Sequence, residues 1–393
     1  MFNLDNIKQM LHHHGNFHQH LKVIHVGGTN GKGSTSLMIQ NILISAGFHV
    51  GIYTSPFDMG RFDNININHI QIRKEDVDRL NQRFLHDFER FELSPFEIDT
   101  FLALYYMYEN GVDYAVIEVG LGGRDDATNV VSPLLSVITN IGLDHQDVLG
   151  YGYASVAEKK AGIIKHLVPV VLGHDINQEA FHVLSTHANQ HQSIIHQVKS
   201  YQITKRHPNI ELVYENQVYH LNTLADYQAR NASLAIEVAL VLKQLGIQIS
   251  DEHINQGISM GVPPKRFQLL SSSPMVIIDG AHNTEGMERL VESIKKLEFK
   301  QTMRVIVAIL KDKPYKDMIE KLKEISEDIT LTTFEHERAM DLSMYQNDSI
   351  HIQPDYHQVL LSMKSHPESI HLITGSLYFL AIVVNTLKGM MNQ

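Results

Sequence analysis

The sequence predicts an α/β protein built as two successive units, and three observations carry that prediction. Short β-type runs alternate with helical patterns along almost the whole chain, the signature of parallel strands joined by crossover helices. That alternation restarts after an irregular stretch, Gly261, Val262, Pro263 and Pro264 followed by Ser271, Ser272, Ser273 and Pro274, which reads as an interdomain linker. The chain is also long enough: 393 residues, 43% hydrophobic and 20% charged, amount to about two to three ordinary domains and lie far from the composition of a disordered chain.

In order, 23–26 is an apolar strand, 34–45 reads as a helix ended by Gly47, and 50–53 is a second strand. Helices are expected at 77–91 and 96–109, and buried strands at 114–119 and 135–139. Between 193 and 220 the pattern shifts to short alternating runs (201–204, 211–214, 218–220), a small antiparallel patch ahead of a long helix at 224–245. The first domain is therefore expected over 1–262, with a mostly parallel sheet, and the linker over 263–273. A smaller Rossmann-like α/β domain follows over 274–393. It has strands at 275–278, 304–309, 328–333 and 369–374, helices to about 297 and near 317–325, and a final helix from Ser376.

Composition excludes several functions. With 33 basic and 44 acidic residues the net charge is −11, which argues against nucleic acid and anionic membranes as partners. The absence of cysteine removes disulfides, thiolate metal sites and thiol nucleophiles. Residues 1–10 lack a secretory pattern, and the longest apolar runs, such as 377–384, fall short of the roughly 20 residues that span a bilayer; a cytoplasmic protein is expected. His12, His13 and His14 read as a polar helix face rather than a metal cage.

The strongest chemical signal is Gly28, Thr29, Asn30, Gly31, Lys32, Gly33, Ser34, placed directly after a strand and before a helix. Glycines let successive backbone amides turn toward a phosphate at a helix N-terminus, a lysine neutralises β/γ oxygens, and a hydroxyl ligates magnesium. The common form of this loop sets the hydroxyl beside the lysine, whereas here Gly33 intervenes. Glu118 ends the next buried strand, where an acid beside a phosphate loop could hold a hard divalent cation. After the following strand come Thr139 to Asp147, with His145 as a candidate imidazole ligand. The run Lys159 to Lys165 reads as opening a helix that ends at glycine, with its two adjacent lysines on a solvated face.

Taken together, GTNGKGS, TSPFDMGRFDNI, EVGLGGRDDATNV, TNIGLDHQDVLG, KKAGIIK, DGAHN, LKDK and TGSLY resemble the folylpolyglutamate synthase and dihydrofolate synthase family, within the wider group of Mur-type ATP-dependent amide ligases. The resemblance runs over nearly the whole chain, in the family's order. It implies a Mur ligase-like P-loop ATPase domain followed by a glutamate ligase domain, a catalytic site between the two, and ATP-driven coupling of L-glutamate to dihydropteroate or to a folate. By resemblance, the loop from Gly28 to Ser34, with Lys32, holds ATP, together with Asn231, Arg266 and Asp279. Ser34 and Glu118 hold a first Mg2+ ion. Glu118 and His145 hold a second, assisted by Lys160, at the position that family members carbamylate. Ser55 and the 59–65 segment are implied on the folate side. Asp279, His282, Ser376 and Tyr378 are implied on the glutamate side, with His282 a candidate base. A monovalent cation is left open, and a monomer is expected.

The chain departs from the family pattern in places. Family members usually carry a further helix upstream of a segment like 4–15. Tyr227 stands where histidine is usual, Lys159 replaces a glutamate, Lys265 replaces the glycine before Arg266, and Thr284 replaces the proline after Asn283; none of these removes a phosphate or metal ligand. Two rivals remain at this level. A Mur-type ligase acting on a nucleotide-linked peptidoglycan precursor would usually carry an extra N-terminal domain, for which there is no room before Val23. A non-catalytic nucleotide switch would keep the glycine loop but not need DGAHN.

Overall fold

The structure is a computed structural model and describes residues 4–55, 62, 64–345 and 350–391. Chain packing separates two units. The first comprises residues up to Thr204, Glu211–Asn222 and Ala229–Gly261; the second takes Lys205–Ile210, Thr223–Gln228 and the chain from Val262 on.

The first unit is organised by an eight-stranded sheet in the order β4-β3-β2-β5-β1-β6-β7-β8. Its strands are β1 (Val23–Gly27), β2 (Val50–Tyr53), β3 (Ile65–Ile67), β4 (Ile70–Gln71), β5 (Tyr114–Glu118), β6 (Pro133–Ile138), β7 (Val170–Leu172) and β8 (Ile195–Gln197). Pairing is parallel from β2 to β8, and β3 and β4 add antiparallel at one edge. β1 is buried along its length, as expected of a central parallel strand covered on both faces. It lies between β5 and β6, so the chain leaving β1 emerges where the strand order reverses, the place where open α/β sheets bind ligands. The expected antiparallel patch is a separate three-stranded sheet of β9 (Gln202–Lys205), β10 (Ile210–Tyr214) and β11 (Gln217–Leu221).

The helices of this unit are α1 (Asp5–His13), α2 (Lys32–Ser45), α3 (Lys74–Arg90), α4 (Pro95–Glu109), α5 (Gln146–Leu149), α6 (Gly152–Ala161), α7 (Gln178–Gln190), α8 (Asp226–Gln244, its first turn counted with the second unit) and α9 (Asp251–Ser259). α3 buries Val77, Leu80, Phe84 and Phe88, one helical face at three- and four-residue spacing. α4 is started by a capping box between Ser94 and Glu97 with Pro95 in its first turn. Phe84 and Phe88 each meet Phe101 edge-on, at centroid distances of 5.0 and 5.9 Å, and Phe17 joins Phe101 at 5.5 Å.

Lys159 and Lys160 close α6 rather than opening a helix. The helix begins at Gly152, and Val156, Ala157, Lys160 and Ala161 form its buried face. Lys160 therefore follows Val156 at the four-residue spacing of one face, while Lys159 is half-buried, so the solvated-face reading holds for neither lysine.

The second unit has a six-stranded sheet, β12-β13-β17-β14-β15-β16, from β12 (Gln268–Ser272), β13 (Met275–Asp279), β14 (Met303–Val307), β15 (Asp328–Thr333), β16 (His351–Asp355) and β17 (Ile370–Thr374). Helices α10 (Thr284–Lys296), α11 (Tyr315–Leu322), α12 (Tyr356–Ser362) and α13 (Leu377–Met391) complete it. The stretch 263–273, expected to be irregular, contains β12, which pairs antiparallel with β13. Its prolines lie outside the strand, in the approach at 263–264 and in the turn at 274, and an edge strand tolerates the polar composition. In register, Asp279, Thr374 and Val307 come level at the carboxyl end of the parallel strands.

Among the described residues no helix is long and apolar enough to cross a membrane. Because Phe101 is fully buried among aromatic rings, Phe101→Ala should destabilise the first unit by about 3–5 kcal/mol, read as a lower urea midpoint. A shift equivalent to less than about 1 kcal/mol would contradict this account of the core.

Candidate functional site

The glycine loop leaves β1 in a conformation that ordinary residues do not adopt. Gly28 has φ +140° and Gly31 φ +81°. A Cβ on Gly28 would lie 1.8 Å from the Thr139 hydroxyl, and one on Gly31 would lie 2.4 Å from Oδ1 of Asn231. The segment after β6 clamps the loop. The Thr139 hydroxyl donates to the Asn30 carbonyl at 2.6 Å, and Asn140 Oδ1 accepts from the amides of Thr29 (3.2 Å) and Asn30 (2.9 Å). Gly142 N donates to the Thr29 hydroxyl at 2.9 Å. With those two amides committed to Asn140, the amides from Gly31 to Ser34 lie at the start of α2, ahead of the first helical bond from Thr35 N to Gly31 O (2.9 Å). Amides at a helix start favour an anion. Lys32 folds over the loop, its Nζ 3.3 Å from the Thr29 carbonyl.

Two hard oxygen donors flank that helix start. Ser34 is buried in the first turn of α2 and Glu118 is buried at the end of β5. A Cβ on Gly33 would be 3.4 Å from Glu118 Oε2, so the carboxylate lies over the first turn. Lys160 is 3% exposed and its Nζ donates to the Gly28 carbonyl at 2.8 Å. Burial, reinforced by the charge of Lys32 and partly offset by Asp144 and Asp126, lowers its pKa to about 7. Lys159 instead reaches Asp125 at 2.7 Å. His145 is exposed at the head of α5 with φ +53°, and its Nε2 lies 3.9 Å from Asp144. Ser55 Oγ approaches the Val119 carbonyl at 3.4 Å. In the 59–65 segment, Met59, Gly60, Arg61 and Asp63 lie outside the described residues, and Asn64 donates to the Thr54 carbonyl at 2.6 Å.

The second unit gathers its candidates around the end of β13. Asp279 accepts from the Phe267 amide (2.8 Å), from the Ala281 amide (2.8 Å) and from the Tyr227 hydroxyl. Burial raises the Asp279 pKa despite these donors. Arg266 Nη1 lies 3.2 Å from the Gly280 carbonyl, which His282 Nδ1 also meets at 2.8 Å. Since a carbonyl only accepts, Nδ1 carries the proton and Nε2 is the basic nitrogen. Asn283 caps α10 through Gly286 N (2.8 Å), which puts Thr284 at the first helical position, where proline is also favoured. Ser376 is fully buried beyond β17, and its hydroxyl has no hydrogen-bond partner among the described residues. Tyr378 packs against the His336 ring at 4.6 Å. Lys265 has φ +61°, the left-handed region that explains why glycine is usual there and that costs a lysine about 1 kcal/mol.

Sequence reasoning missed four participants. Thr139 and Asn140 stood in a motif without a role, and their bonds to Thr29 and Asn30 join segments more than 100 residues apart, which no local pattern signals. Asp126 orders the glycine-rich turn after β5 by accepting from the amides of Leu121 (2.8 Å) and Thr128 (3.0 Å). Tyr227, noted only as a departure, bonds Asp279.

An amide-lined loop at a helix start, a buried carboxylate beside it and a second, mostly parallel sheet with its own polar end define a two-unit P-loop α/β protein. Family models agree: the Mur ligase middle domain matches residues 26–239, and the Mur ligase glutamate ligase domain matches 265–377. The dihydrofolate synthase/folylpolyglutamate synthase of Bacillus subtilis is 35% identical, covering 98% of this chain and 95% of the relative. The folylpolyglutamate synthase of Lacticaseibacillus casei is 34% identical, covering 98% and 94%. A solved FPGS complex with AMPPCP and folate superposes with a TM-score of 0.86 at 32% identity, covering 98% of this chain and 96% of that one. The chain belongs to the Mur ligase family and, within it, to the folylpolyglutamate and dihydrofolate synthases.

The folded protein holds Lys160 largely neutral above about pH 7, whereas an unfolded chain keeps a lysine protonated to about pH 10.4. The unfolded state then binds more protons across that interval. Stability relative to Lys160→Met should rise with pH from about 7 to about 10, by at most about 1.4 kcal/mol per unit. Urea unfolding of both proteins in metal-free, carbonate-free buffer checks this, and a difference that stays flat or falls would contradict the burial of the amine.

Proposed function

We propose that this protein is an ATP-dependent ligase that joins L-glutamate to the carboxylate of dihydropteroate or of a folate through an acyl phosphate. The observation that carries the reading is the amide-lined start of α2 set against buried Glu118 and Lys160, in a chain of this family.

A carboxylate is a poor electrophile. Transfer of the γ-phosphoryl group of ATP to a carboxylate oxygen gives an acyl phosphate and ADP. The glutamate amine then attacks the acyl carbon, the new C–N bond forms, the C–O bond to phosphate breaks, and the amine loses a proton. The amides from Gly31 to Ser34 and the Lys32 ammonium are assigned to the β- and γ-phosphate oxygens, where fixed dipoles and a fixed charge need no reorganisation as charge shifts. Asn231, Arg266 and Asp279 are assigned to the rest of the nucleotide.

The oxygen donors beside the loop fit Mg2+, a hard cation. Ser34 and Glu118 would hold one ion, and Glu118, His145 and a carbamylated Lys160 a second. When bound, the ions offset charge on the phosphoryl group being transferred. A lysine amine with a pKa near 7 is unprotonated often enough to add carbon dioxide, and the resulting carbamate is an anionic oxygen ligand. Ser55 and the 59–65 segment are assigned to the pterin-bearing acid. Ser376 and Tyr378 are assigned to the incoming glutamate, with Asp279 as a further contact. His282 Nε2 is assigned as acceptor of the amine proton. The reading includes a cytoplasmic monomer with no nucleic acid or membrane partner, and leaves a place for a monovalent cation.

Purified protein incubated with Mg-ATP and glutamate, with dihydropteroate and a reduced folate in separate tubes, should yield in at least one tube a product heavier by one glutamyl residue. Lys32→Met should lower kcat about 10²–10³-fold, the scale of losing one key electrostatic donor. Absence of a new amide in both tubes would overturn the function, and a wild-type rate in Lys32→Met would overturn the role of the loop.

A further inference from the structure

The geometry points to a divalent transition-metal site formed by His13, His14 and Asp87, of a kind that takes zinc, cobalt or nickel and ties the end of α1 to α3. The three-histidine run was expected to be a polar helix face; the fold brings a carboxylate to it from 73 residues further along the chain. His14 Nε2 lies 3.1 Å from Asp87 Oδ2, and His13 Nε2 lies 3.8 Å from the other oxygen, Oδ1. One ligand atom from each of the three residues falls within 4.8 Å of the others, and no other group of three or more potential metal ligands of this kind occurs among the described residues. A plain His–Asp hydrogen bond accounts for His14. It does not account for a second imidazole aimed at the same carboxylate.

His14 is held by core rings, whereas His13 is exposed. The His14 ring packs edge-on to Phe84 at 5.0 Å and Phe101 at 5.6 Å, and His13 packs against Phe91 at 5.5 Å. α1 itself is anchored by buried Ile7, Met10 and Leu11. Two imidazoles and one carboxylate favour borderline metals over Mg2+ or Ca2+, and three protein ligands leave a coordination position for water. The nearby cation, Arg83, is turned to other partners: its guanidinium lies over Phe84 and Tyr105 and 3.6 Å from Glu109. The site shares no residue with the phosphate loop. A metal here binds the folded state across two helices and so raises thermal stability.

The test uses full-length protein stripped by chelator, titrated calorimetrically with Zn2+ and, in parallel, with Co2+ followed by visible absorption. One saturable equivalent is expected, accompanied by a rise in thermal midpoint. His13→Ala and Asp87→Asn should each weaken binding at least about 10-fold and abolish the thermal shift, while their metal-free midpoints confirm that both variants fold. His12→Ala should bind like wild type, because its Nδ1 faces Asn16 at 3.4 Å and not the carboxylate. Three results would overturn the site: no saturable binding by wild type, unchanged affinity in both His13→Ala and Asp87→Asn, or equal loss in His12→Ala.

Discussion

Gly28 and Thr139 approach so closely that no side chain fits between them, a Cβ on Gly28 falling 1.8 Å from the threonine hydroxyl. The rest of the first unit's site follows from that contact. It brings the end of β6 against the loop, which lets Thr139 and Asn140 engage three backbone groups of Thr29 and Asn30. On another side Lys160 reaches the Gly28 carbonyl. A loop held at both its carbonyls and its amides is fixed before any ligand arrives, and preorganisation of this kind is what makes backbone dipoles effective at a charged transition state.

Electrostatics at the loop are unbalanced by design. Burial lowers the Lys160 pKa, repulsion from Lys32 lowers it further, and Asp144 and Asp126 restore only part of the difference. Burying Glu118 and Lys160 is costly in isolation, since desolvation of a charge exceeds what a single hydrogen bond returns. A multiply charged anion and hard cations are the ligands that would offset both burdens. The second unit uses the opposite device. Asp279 is surrounded by donors from Phe267, Ala281 and Tyr227, so its carboxylate serves as a hub that ties the chain entering β12 to the chain leaving β13 at the open end of that hairpin.

Much of this was legible because it is local. A strand, a glycine loop and a helix follow one another within the span from Val23 to Ser45, and Glu118 declares itself by ending an apolar run. What stayed hidden depends on direction or distance. Lys159 and Lys160 are neighbours in sequence but point about 100° apart on a helix, so one meets Asp125 and the other the core. The partners of His13 and His14 lie on α3, and no spacing rule reaches across 73 residues. β12 was read as linker because prolines surround it, although none lies within it. Lys265 shows the reverse case: its departure from glycine was plain in the sequence, but only the backbone, at φ +61°, says what the substitution costs.

The most direct test of the central claim follows oxygen rather than rate. With the acceptor carboxylate enriched in oxygen-18, passage through an acyl phosphate predicts that the inorganic phosphate released with each new amide carries a labelled oxygen, detectable by mass spectrometry. Amide formation accompanied only by unlabelled phosphate would contradict activation of the carboxylate at this loop.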